Sequence, residues 1–170
     1  MLVHGSPKQR QIAPGETHAV ALARLQDGLA QVALAAAKAG VTYCIEPLSQ
    51  QETSVLNTIA EAAELVRSIN HPNLRTMIDC SAAGLTETES IPSLIDRWLP
   101  TGLIAHLQVN DPNRRGPGQG EMQFAPILAA LKRQHYAGTI AVEPFDYVPD
   151  GPGVAAFSVG YLRGLAEALA

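Results

Sequence analysis

A chain of 170 residues, 46% of them hydrophobic, has enough apolar side chains for the core of one globular domain and is short for two. A formal net charge of −4 without a basic block argues against a nucleic-acid partner, and the Arg114–Arg115 pair sits among Gly and Pro. The opening MLVHGSP is too short and uncharged for an export signal, and charges interrupt the apolar stretches; no membrane span is expected, and Cys44 and Cys80 read as reduced, buried thiols of a cytoplasmic protein.

The first β-like run covers residues 1–4. An Ala-rich amphipathic helix is predicted over 16–39, stopped by Gly40. Strand 41–46 follows, then helix 54–69 with apolar residues at Val55, Ile59, Ala62, Val66 and Ile69. Strand 75–80 precedes helix 92–99, strand 103–109 precedes helix 125–135, and strand 138–143 precedes a closing helix over 154–168. Short strands alternating with helices indicate βα units around a parallel sheet. The predicted class is therefore α/β: five βα units of an incomplete (β/α)8 TIM barrel, forming one domain over 1–170. A full barrel takes about 250 residues, so the expectation is that three units are missing before Met1. Open edges at 1–4 and 138–143 then predict either association through those edges, as in a homo-oligomer, or low stability.

Four polar residues recur at equivalent places. Glu46, Asp79, Gln108 and Glu143 each fall at or near the C-terminal end of a predicted strand, spaced by roughly 30 residues, one βαβ step apiece. In a TIM barrel that end carries the chemistry. The plainer alternative is that each marks a strand end facing solvent. Two motifs weigh against it: CIEPL and AVEPF each set a Glu in an apolar run, where an acid needs a metal or another partner. The donors are all oxygens, which suits Mn²⁺ or Mg²⁺ better than Zn²⁺.

The stretch HLQVNDPNRRGPGQGE leaves strand 103–109 for a loop shaped by Gly116, Pro117, Gly118 and Gly120, with Arg114 as its cation. His4 and His106 read as hydrogen-bonded core histidines and Trp98 as helix packing, while Phe145 and Tyr147 are candidates for a pocket wall.

Taken in order, IEPLSQQET, LNT, MID, HLQVNDPNRRGPGQGE and VEPF resemble the xylose isomerase-like barrels, which include ketose 3-epimerases, hydroxypyruvate isomerases and related sugar phosphate isomerases. The match runs over nearly the whole chain and corresponds to barrel strands four to eight. The resemblance implies that Glu46, Asp79, Gln108 and Glu143 bind one divalent metal, Mn²⁺ or Mg²⁺. It also implies that Glu46 and Glu143 act as acid and base, and that Glu52 and Arg114 contact oxygens of a sugar or sugar-like hydroxy-carbonyl substrate. Two positions depart from the epimerase pattern. Gln108 stands where most sugar epimerases carry His, as in hydroxypyruvate isomerase-like members, and Ala82 stands where the epimerases have a substrate-binding His. The implied activity is isomerisation or epimerisation by proton transfer through an enediolate. The alternatives are a dehydratase or lyase on the same metal barrel, or a catalytically inactive barrel fragment.

Overall fold

The computed structural model describes residues 1–169. Strand β1 (Leu2–His4) leads through a short 3-10 turn at Lys8–Arg10 to helix α1 (His18–Lys38), which starts where Thr17 Oγ1 accepts the Val20 amide at 3.3 Å. Strand β2 (Tyr43–Ile45) is followed by α2 (Ile59–Ile69), and β3 (Leu74–Asp79) runs straight into α3 (Cys80–Thr86). Helix α4 (Ile91–Trp98), strand β4 (Ile104–Val109), helix α5 (Phe124–Arg133), strand β5 (Ile140–Val142) and helix α6 (Gly151–Ala168) complete the described chain.

All five strands are parallel and lie in chain order β1-β2-β3-β4-β5, a curled half-barrel with its helices outside. Side chains alternate along a strand, so each strand gives one set to the helices and the other to the concave face. Ile45 and Leu74 pack with Leu29, Ala33, Leu65 and Val66 of α1 and α2. Ile78, Leu107 and Val109 pack with Leu94, Ile95, Trp98, Phe124 and Ile127. Each such buried side chain contributes about 1.5–3 kcal/mol, and together they fix which strand ends stand side by side. Asp79 pairs in register with Gln108 across β3 and β4.

Three sequence expectations are corrected. The strand expected over 75–80 ends at Asp79, because the Asp79 carboxylate accepts the Ala82 amide at 2.7 Å and caps α3, a helix the sequence pattern did not reveal. The helix expected from 54 starts at Ile59. Thr58 and Glu61 form a reciprocal capping box there, while Val55 and Leu56 bury themselves from the preceding loop, Leu56 with φ +66°. Tyr147 is exposed and lines no wall of the central cavity. Trp98 is buried as helix packing, flanked by the guanidinium groups of Arg67 and Arg97. Both cysteines are free and buried. The edge strands each have one neighbour among the described residues, and Met1 and Leu2 are more than half exposed. No helix among the described residues is long and apolar enough to cross a membrane.

Candidate metal centre

Glu46, Asp79 and Glu143 each offer a carboxylate oxygen within 4.8 Å of the others. They arrive from the ends of β2, β3 and β5, and β4 supplies Gln108 between the last two. The four line one cavity of about 440 Å³ at the C-terminal end of the sheet, together with Val3, Gly5, Leu48, Glu52, Ala82 and Phe145. The Gln108 side-chain carbonyl is buried and accepts no hydrogen bond. A buried amide oxygen in that condition costs roughly 1–3 kcal/mol unless something electropositive meets it.

The electrostatics point the same way. Burial, then the charges of Asp79 and Glu143, push the Glu46 carboxyl up to about 8. Burial, then Asp79 and Glu52, raise Glu143 to about 7. Burial also lifts Asp79, to about 6, although hydrogen bonds from the Ala82 amide and Asn110 pull against it. Three acids held together with mutual repulsion and one uncompensated amide oxygen form a cluster short of positive charge. A hard divalent cation fits that donor set, with carboxylates and an amide oxygen and no sulfur or imidazole.

Asn110 does for this centre what sequence reasoning missed. It is fully buried; its Nδ2 donates to Asp79 Oδ2 at 2.8 Å and to the Glu143 carbonyl at 3.2 Å, and its Oδ1 accepts the Ser81 amide at 2.8 Å. One amide thus ties the ends of β3, β4 and β5 together. Asp111 braces the loop beyond, accepting the amides of Asn113 and Met122. A methyl group on Gly120 would overlap the Asp111 carboxylate, so that turn needs glycine for space. The Asn–Asp pair at a strand end was the signal available in the sequence.

Of the two residues expected to touch substrate, Glu52 lies at the cavity, its carboxylate accepting the Ser49 amide and hydroxyl. Arg114 is not among the cavity's lining residues. Its guanidinium stands 5.1 Å over the Phe145 ring and 3.4 Å from the Asp146 carboxylate, and its carbonyl accepts the amides of Phe145 and Asp146. Arg114 therefore meets the cavity only through Phe145. His106 is buried and hydrogen-bonded to the Thr139 backbone, as a core histidine, while His4 and His106 each leave Nδ1 buried without a partner.

Consecutive parallel βα units with acids converging at the C-terminal strand ends define a protein of the (β/α)-barrel class. Residues 1–165 match the xylose isomerase-like TIM barrel family, and the chain belongs to it. It is 34% identical over 123 residues to the D-psicose 3-epimerase of Agrobacterium fabrum, spanning 72% of this chain and 42% of that protein. It is 30% identical over 122 residues to the D-psicose 3-epimerase of Ruminiclostridium cellulolyticum, with coverages of 72% and 41%. A crystal structure of D-psicose 3-epimerase in the presence of D-fructose aligns with a TM-score of 0.77 at 26% identity, over 91% of this chain and 60% of that one. The apo 3-keto-D-glucoside 4-epimerase from E. coli shares the fold, with a TM-score of 0.80 at 21% identity over 88% and 56%. The match thus spans about two fifths of the length of these curated relatives.

Proposed function

We propose that this chain carries the metal and proton-transfer centre of a divalent-metal-dependent isomerase or epimerase acting on a sugar or sugar-like hydroxy-carbonyl compound. The observation that carries the reading is the meeting of three buried or half-buried carboxylates with the unsatisfied Gln108 oxygen. Kinship with sugar epimerases supports the reaction class. Mn²⁺ or Mg²⁺ held by Glu46, Asp79, Gln108 and Glu143 would polarise a carbonyl and its neighbouring hydroxyl.

Glu46 and Glu143 come from β2 and β5, with two strands between them, and reach the cavity from different sides. One takes the proton from the carbon next to the carbonyl, and the other delivers a proton to the opposite face, which inverts that carbon through an enediolate. Return by a single Glu to the adjacent carbon gives aldose–ketose isomerisation instead. Asn110 keeps Asp79 in line. Glu52 faces the substrate from the rim, and Phe145, backed by Arg114, forms part of one wall. Ala82 presents no hydrogen-bonding side chain to the same cavity, so substrate oxygens there meet a smaller, apolar wall. Pairing of the open β1 and β5 edges with a second copy belongs to this proposal, and light scattering across a concentration series tests it.

The reaction is tested by incubating the 170-residue chain with Mn²⁺ and ketohexoses or hydroxy-aldehydes in D₂O and following deuterium uptake at the α-carbon by NMR. Metal-dependent uptake that disappears in Glu46→Gln and Glu143→Gln is expected. Uptake undiminished after EDTA treatment and dialysis would contradict the mechanism.

A further inference from the structure

The β1–α1 loop holds two residues that the proposed reaction does not use and that both act on Glu46. Gly5 lines the central cavity beside the Glu46 side chain. A methyl group built on Gly5 would overlap Glu46 Oε2 and crowd the carboxyl carbon at 2.9 Å. The Gly5 backbone does not have positive φ, so the glycine supplies space and not an unusual turn. Arg10 works from the other side. It is only 3% exposed; its Nη1 donates to the Glu46 carbonyl at 2.7 Å and its Nε to the Ser6 carbonyl at 3.4 Å. The Glu46 amide in turn donates to the His4 carbonyl at 3.2 Å. A buried guanidinium spent on two main-chain carbonyls, near the charges of Glu46 and Glu52 and paired by hydrogen bond with neither, is an expensive device for a loop that had only to connect.

We infer that Gly5 and Arg10 are positioning residues that set the rotamer and backbone of Glu46 for the cation and the substrate. The inference rests on the reading of Glu46 as a cation ligand. Gly5 clears the place its carboxylate occupies, and Arg10 clamps the carbonyl of the same residue, so both ends of Glu46 are fixed by one loop. Groups that orient a metal ligand without touching the metal typically change affinity by about 10–100-fold when removed.

Gly5→Ala pushes only the far end of a flexible side chain, so the variant should fold while Glu46 leaves its place. Arg10→Lys keeps the charge and loses the fork, which separates geometry from the electrostatic attraction that a neutral substitute would add. Mn²⁺ binding by electron paramagnetic resonance, with melting curves in EDTA as the control on folding, reads both. The expectation is a dissociation constant raised about tenfold in Gly5→Ala and several-fold in Arg10→Lys, with little change in the EDTA melt. Adding Gly5→Ala to Glu46→Asp should cost less than adding it to the wild type, because the shorter acid withdraws from the new methyl group. Wild-type binding with both single variants unchanged overturns the inference alone. No binding by the wild type overturns the reading of the site and the inference with it. Should Gly5→Ala fail to fold, the Arg10→Lys comparison decides.

Discussion

Replacing Asn110 by Ala removes three hydrogen bonds from a side chain that is fully buried. Two of them, to the Ser81 amide and the Glu143 carbonyl, join neutral groups and are worth about 1 kcal/mol each; the third, to the Asp79 carboxylate, is worth about 2 kcal/mol. The loss is on the order of 4 kcal/mol before any cavity is counted, against a total stability of about 5–15 kcal/mol. At about 2–4 °C per kcal/mol for a chain of this size, the melting temperature should fall by roughly 10 °C. Urea unfolding followed by circular dichroism, with a thermal melt, measures both quantities. Asn110→Asp sharpens the test: it keeps an acceptor for the Ser81 amide but sets a second acid against Asp79, so its destabilisation should grow with pH. An Asn110→Ala protein that melts within about 2 °C of the wild type would refute the view that this amide ties the three strand ends together.

Other consequences concern charge and capping. Glu46, Glu143 and Asp79 have folded-state pKa values raised to about 8, 7 and 6, so the folded state holds their protons more tightly than the unfolded chain does. That contribution is complete below the ordinary carboxylate range and is lost as pH rises through these values. The melting temperature in EDTA should therefore drop between about pH 5 and about pH 9, and saturating Mn²⁺ should flatten the fall. Cation at about one hundred times its dissociation constant should add about 2.7 kcal/mol. Glu46→Gln should melt higher than the wild type at about pH 8 in EDTA, since it removes a buried like charge, yet gain far less from Mn²⁺. Thr58→Ala should cost about 1 kcal/mol by opening the capping box of α2, read as a lower urea midpoint with an unchanged slope.

The strand ends were legible because hydrophobic runs and helical periodicity repeat at βα intervals, which put Glu46, Asp79, Gln108 and Glu143 at equivalent places. The structure gathers them in one cavity. Helix α3 was hidden because its sequence, CSAAGLT, continues an apolar strand and its start depends on what the Asp79 carboxylate does in space. The early start given to α2 has the reverse cause, since Val55 and Leu56 fit a helical spacing but are buried from an irregular turn. Asn110, Gly5 and Arg10 act through distances to other strands, which spacing along one chain does not encode. Arg114 shows the limit from the other side: its place in a glycine-rich loop was clear, but its stacking on Phe145 follows from how two loops meet.

The central claim is that four strand ends make one cation centre. Diffraction at the manganese absorption edge, from crystals of this chain grown with Mn²⁺, tests it most directly. The account predicts a single strong anomalous peak at the C-terminal end of the sheet, with carboxylate oxygens of Glu46, Asp79 and Glu143 and the Gln108 Oε1 all in its coordination sphere. A peak elsewhere, or a Gln108 side chain turned away from the three carboxylates with no ion between them, would contradict it.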